Sequence, residues 1–170
     1  MRRLLTLGVA APTLAFALAL GTAAAAADAA ADPPPLADTS NAALDAWRAQ
    51  YLVQGDDIFV GGAPVALFYI KRSTLRLVSP NVVEAGIRTE LTSPDARIGE
   101  PVRSVLVITQ FDCAQHKVHF VTDSAFGGQN LQRPIRSWPD PDSDWTAIAP
   151  NSIADTEAGI LCPMRGALSH

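Results

Sequence analysis

The chain has 170 residues, a formal net charge of −4 and two cysteines. That length suits about one domain. The acidic balance argues against nucleic acid and anionic membranes as general partners.

The first stretch stands apart from that domain. Arg2 and Arg3 form a basic start, and Leu4 to Leu20 is an uncharged, largely apolar run. Ala25-Ala26-Ala27 then offers a small-residue cleavage site before Asp28, which is a secretory signal pattern over 1–27. At ~1.5 Å per residue the apolar run reaches only about 25 Å, short of a ~30 Å bilayer core. The arginine pair also hints at twin-arginine export. Cleavage after Ala27 removes two arginines and no acid, taking the charge to −6. Residues 28–40, opening "DAAADPPPLADT", are too polar and proline-rich to bury a core and read as a flexible linker. Residues 41–166 form the single expected domain.

Ser40 is placed to cap a short helix, "NAALDAWRAQ"; the alternative is that Trp47 begins the first strand. From Tyr51 the pattern predicts strands. "YLVQ" and "DIFV" flank a Gly55-Asp56 turn signal, and Gly61-Gly62 separates "DIFV" from "APVALFYIK" as a hairpin would. "TLRLVS" and "GIRTELT" are weaker strands, with Pro80, Pro94 and Pro101 marking loops. "PVRSVLVITQF", 101–111, is apolar on both faces and reads as a central strand. "HKVHFVTD" alternates, with Val118 and Phe120 facing one way and Lys117 and His119 the other. The short link at 112–115 makes these two an antiparallel hairpin. "QNLQRPIRSW" follows as an edge strand containing Pro134, and "WTAIAP" as extended chain. "NSIADTEAGILC" predicts a helix with Ser152 as N-cap, Asp155 in its first turn and Pro163 as its stop. Its apolar face carries Ala154, Ala158, Leu161 and Cys162. The fold class is therefore α+β: an antiparallel meander of about six strands with a C-terminal helix pinned to it.

Asp112, Cys113 and His116 have the residue types of a thiol active site. In an exported chain, however, the only other cysteine is the natural partner of the first, and Cys113–Cys162 reads as a disulfide. His116 and His119 have H-x-x-H spacing, but on a strand they point to opposite faces. Asp140, Asp142 and Asp144 open like a calcium loop. Trp145 and Asn151 then stand where that loop needs Gly and Glu. Glu84, Glu90 and Glu100 read as scattered through loops, with no evident partner for acid–base work. With no nucleophile elbow, P-loop or dinucleotide fingerprint, neither enzyme, cofactor nor metal is expected.

"RSVLVITQFDC", a hairpin, a Gly-rich turn and "DWTAIAPNSIADTEAGILC" together resemble the surface-adhesin protein E-like family. The resemblance covers roughly residues 47–163. Ser104, Asp112, Cys113, Trp145, Pro150, Ser152 and Cys162 match its order and spacing. It implies a six-stranded antiparallel sheet with a disulfide-tethered helix, and a bacterial envelope protein. It also implies an adhesin binding host extracellular-matrix and serum proteins. The chain departs from the anchored lipoprotein pattern, having no lipidation cysteine near the cleavage site.

The sequence thus points to a periplasmic or secreted, non-catalytic binding module. A protein partner would meet its sheet face or the loops at 80–101 and 136–145. The alternative is a structural or assembly factor of the envelope. No membrane span is expected after cleavage, and nothing in the sequence argues for a homodimer. Protein recovered from the envelope fraction is expected to start near Asp28. Its two thiols should be alkylated only after reduction, which intact mass before and after reductant measures. Two free thiols in the native protein would refute the staple.

Overall fold

The computed structural model describes residues 32–96, 99–139 and 144–169. The expected signal segment, the first linker residues, and Asp140 and Asp142 lie outside this set. Helix α1, Asn41–Tyr51, starts where Ser40 Oγ accepts the Ala43 N–H at 3.3 Å. Leu44, Trp47 and Tyr51 recur at helical spacing and form its packing face. The strand expected at "YLVQ" is absent, because Tyr51 closes α1. The Trp47 and Tyr51 rings meet at 5.6 Å, and this contact outweighs the strand preference of Tyr-Leu-Val.

Seven strands follow: β1 Ile58–Ala63, β2 Ala66–Ser79, β3 Val82–Asp95, β4 Val102–Asp112, β5 Lys117–Phe126, β6 Pro134–Pro139 and β7 Thr146–Ala147. The first six are neighbours in chain order, every pairing is antiparallel, and the short β7 also pairs with β5. The meander is the predicted one, but several boundaries differ. The β1–β2 reversal falls at Pro64-Val65. Gly61 and Gly62 lie inside β1, beside a register shift. "TLRLVS" continues β2 beyond a bulge, and "GIRTELT" is the middle of β3. Pro94 belongs to the end of β3, where pairing with β4 is already interrupted. β6 begins only at Pro134; the residues before it form a turn.

At the β2 bulge, Thr74 Oγ1 donates to Lys71 O and accepts from Gly86 N, each at 2.7 Å. A Cβ on Gly86 would lie 3.0 Å from that oxygen and 3.1 Å from Leu106, so a side chain there would have to push both aside by a few tenths of an ångström.

Each sheet face meets one helix. Helix α2, Ile153–Leu161, covers one face through Ala158 and Leu161, which pack with Ile70, Val83, Ala85, Ile87, Phe111 and Val118. α1 covers the other face, its Leu44 and Trp47 lying with Leu52, Leu67 and Tyr69. β3 is consequently buried on both sides from Val83 to Arg88. The entry to α2 is built from turn chemistry. Ser152 N–H donates to Ala149 O at 3.3 Å across Pro150 and Asn151, and Asn151 has a φ of 61°. Proline second and a left-handed third residue is the type II pattern. Ser152 Oγ then accepts the Asp155 N–H at 3.1 Å. Pro163 ends the α-helical ladder as expected, yet the chain winds on as a 3-10 helix, Cys162–Leu168.

The disulfide Cys113–Cys162 joins the β4–β5 turn to the end of α2, with its Cα atoms 5.6 Å apart. It closes a loop with a sequence separation of 49. A loop of that size stabilises the fold by about 4 kcal/mol through restriction of the unfolded chain. Replacing both cysteines by serine is therefore expected to lower Tm by roughly 10 °C or more, with the sheet's far-ultraviolet signature retained below the transition. An unchanged Tm would show that packing of Ala158 and Leu161 holds α2 unaided.

Candidate functional site

The cluster at the β4–β5 turn resolves into structural parts. Asp112 Oδ1 accepts the Ala114 and Gln115 N–H groups, both at 2.9 Å, and so shapes the turn. Cys113 is oxidised, and its N–H donates to Asn81 O in the neighbouring turn at 2.9 Å. His116 adopts a φ of 53° and places Nε2 3.2 Å from Asp155 Oδ1, joining this turn to the first turn of α2. His119 lies against Trp145, with ring centroids 5.3 Å apart. The two histidines thus part company, His116 standing in the left-handed turn before β5 and not on the strand as expected. Among the described residues no three His, Cys, Asp or Glu side chains come together in a metal-holding group.

Ser104 is fully buried on β4. Its Oγ donates to Gly128 O at 2.7 Å and accepts the Leu131 N–H at 3.2 Å. It thereby holds the β5–β6 loop, where Asn130, Leu131 and Arg133 all have positive φ. Such backbone costs energy outside glycine and needs fixed partners. Glu90 supplies two of them, since both its carboxylate oxygens accept the Asn130 N–H, at 2.9 and 3.1 Å.

Glu90 belongs to a buried polar clasp that the residue pattern did not reveal. The expected loop placement is wrong for Glu84 and Glu90, which both lie on β3 and are buried. Register puts Arg88 opposite Tyr69 and Glu90 opposite Leu67 and Ser104, on the α1 face. Arg88 donates to Glu90 Oε1 at 2.6 Å, to Asp57 Oδ2 at 2.8 Å and to Val53 O at 3.2 Å. Its guanidinium lies 4.7 Å from the centre of the Tyr69 ring. Asn130 completes the clasp, with Oδ1 accepting from Val53 N and Arg88, and Nδ2 donating to Tyr51 O. One arginine therefore ties the end of α1, the segment before β1 and the β5–β6 loop to the sheet. A cavity of about 250 Å³ opens beside Asp57, Lys71, Arg88 and Asn130. Only the i, i+2 spacing of Arg88 and Glu90 within an alternating stretch hinted at this.

Burial pushes the Glu90 carboxyl up to about 7, with Arg88 and the Asn130 N–H acting against it. Burial also pushes Glu84 up, but hydrogen bonds from Arg76 at 2.6 Å and Gln110 at 2.8 Å outweigh it, and Glu84 stays below its ordinary value. On α2, Glu157 is 5 % exposed, and burial alone lifts its carboxyl to about 7.

A second cavity, about 430 Å³, has a different character. Leu91, Val102, Val105, Ala125 and Trp138 line it, together with Asp95 and Asp123. Val105 pairs with Ala125 and Asp123 with Trp138, on the face that α2 covers at the other end of the strands. Both aspartates already have interaction partners. Among the described residues, the groove is thus an apolar floor beyond the reach of the helix.

Glu157 generates a pH test. Its folded value stands above the ordinary carboxylate range, so the folded state holds the proton more tightly than the unfolded chain. The stability it contributes is full below about 4.5 and is lost as pH rises through about 7. Glu157→Gln is expected to stabilise the protein at pH 8 by up to about 3 kcal/mol and to change little at pH 4.5. Thermal melts across that range measure it, and an equal effect at both pH values would show that Glu157 is not buried as an acid.

Comparison with known proteins places this geometry. The family model of surface-adhesin protein E matches residues 58–163. No curated protein matches the chain in sequence. Two crystal structures of Haemophilus influenzae protein E are similar in fold. Crystal form II is 17 % identical with a TM-score of 0.55, over 68 % of this chain and 94 % of that one. The structure from non-typeable Haemophilus influenzae is 15 % identical with a TM-score of 0.51, over 80 % and 85 %. At these identities the likeness is one of fold alone.

Proposed function

Since the chain belongs to the surface-adhesin protein E family, we propose that it is an exported bacterial envelope protein that works by binding a protein partner, without catalysis. The observation that carries this reading is the apolar groove around Leu91, Val105, Ala125 and Trp138, which no helix covers among the described residues. A sheet normally buries such a face, and α2 stops short of it. An apolar groove of this kind accepts apolar side chains of a partner. The family supports a host extracellular protein as that partner. Export is supported by the signal pattern and by the disulfide, which persists in oxidising compartments. Among the described residues no helix is long and apolar enough to cross a membrane.

A second reading has its own support. Both cysteines of the sequence are joined to each other, so neither is available for a lipid anchor. This favours a protein of the periplasm with a structural or assembly role.

Surface labelling of intact cells of the native host separates the two. The adhesin-like reading expects labelling without permeabilisation, together with binding to immobilised matrix protein. Val105→Glu should weaken that binding at least about tenfold, as burying an unpaired charge in the contact does. Its Tm should stay within a few degrees of the parent. Labelling only after the outer membrane is opened would replace adhesion by the periplasmic role.

A further inference from the structure

The stretch expected to be a free linker is, from Asp32 onward, held against the sheet. Asp32 pairs through Oδ1 with Arg133 and through Oδ2 with Arg103 at 3.2 Å. The carbonyl of Pro33 accepts from Arg103 Nη1 at 3.1 Å, and that of Pro34 from Trp47 Nε1 at 3.1 Å. Leu36 N–H donates to Thr92 O at 2.9 Å, and the Leu36 side chain packs with the cluster around Leu44, Trp47 and Tyr69. Pro33 itself is buried.

These contacts read features that no fold-specific geometry supplies. They take a carboxylate, two successive proline carbonyls in an extended chain, and an aliphatic side chain after them. Proline fixes φ and biases the residue before it toward extended backbone, so such a segment arrives already ordered. An indole N–H and a guanidinium donating to its carbonyls are the means by which aromatic-lined grooves capture proline-rich peptides. The groove also continues past Asp32 into a cavity of about 260 Å³ bordered by Arg103, Arg133, Glu100, Pro101 and Ile135.

The geometry points to a peptide-binding groove between Trp47, Arg103 and Arg133 for an extended, acidic, proline-bearing segment of a partner protein. In the isolated chain Asp32–Leu36 occupies it in cis. The inference stands apart from the adhesin-like reading, since it concerns the α1 side and not the apolar floor beyond α2. A tethered segment competes at an effective concentration on the order of millimolar, so the partner's segment must displace it or find it weakened.

The test uses the full chain and the synthetic peptide acetyl-Ala-Asp-Pro-Pro-Pro-Leu-Ala-amide. The host is a variant whose own segment is disabled by Asp32→Lys, Pro33→Gly and Pro34→Gly. The Trp47 indole N–H resonance is expected to move in this variant and to return on peptide addition. Binding should be at least about tenfold tighter than to the parent chain, and lost when Arg103→Glu is added. Should the triple variant fail to fold, Asp32→Asn alone is used. There the peptide must still shift Trp47, and must do so more weakly when its own aspartate becomes asparagine. A folded variant that shows no shift at peptide concentrations on the order of millimolar overturns the proposal. Dimers of the parent chain that disappear with Asp32→Lys would assign the groove to a second copy and overturn the partner reading.

Discussion

Arg88 and Glu90 sit on one face of a strand that is covered on both sides, and the loops are arranged around them. An arginine taken out of water must find partners for its planar fork of donors. Arg88 finds them in Glu90 on its own strand, in Val53 O and Asp57 on the connection from α1 to β1, and in Asn130 on the β5–β6 loop. Glu90 in turn holds the backbone of Asn130 in a left-handed conformation. The chain segments at that end of the sheet are therefore placed by one charge-satisfaction problem. A hydrophobic pair at these positions would pack as well but would specify no loop geometry.

The two faces of the sheet differ in how completely they are closed. On one side, α1 and Leu36 cover Leu67 and Tyr69, and the Asp32–Pro34 strap is tied to Trp47, Arg103 and Arg133. On the other, α2 spans only Ile153–Leu161 and is pinned at its end by Cys113–Cys162. It buries Val83, Phe111 and Val118, and the opposite end of the same face keeps an apolar floor at Val105 and Ala125. The helix that the disulfide pins thus covers one end of this face, and among the described residues no helix covers the other.

The residues on which the family resemblance rests work locally. Asp112 closes a turn, Pro150 and Asn151 build another, Ser152 caps α2, and Ser104 anchors a strained loop. Trp145 rests on His119. The contacts of Asp112, Ser152 and Ser104 shape a turn, a cap and a loop of the scaffold.

Both helices, their serine caps, the meander and the disulfide partner were legible in the chain, because caps, alternation and cysteine pairing are properties of neighbouring residues or of composition. The limits of β1 and β3 were not. Gly61-Gly62 resembles a reversal, yet Pro64-Val65 makes the turn once β1 pairs with β2. Arg88 and Glu90 break the apolar alternation that would have marked β3, and only the packing of α1 on the opposite strand shows why charges stand there. The tether was misread for the same reason. Asp-Pro-Pro-Pro has no core of its own, and its carbonyls acquire donors only when Trp47 and Arg103, distant in sequence, are brought beside it. Sequence by itself determined the elements and the covalent staple. Tertiary structure decided which polar groups are buried, which face stays open and what the linker rests on, since each depends on contacts between segments that no local pattern records.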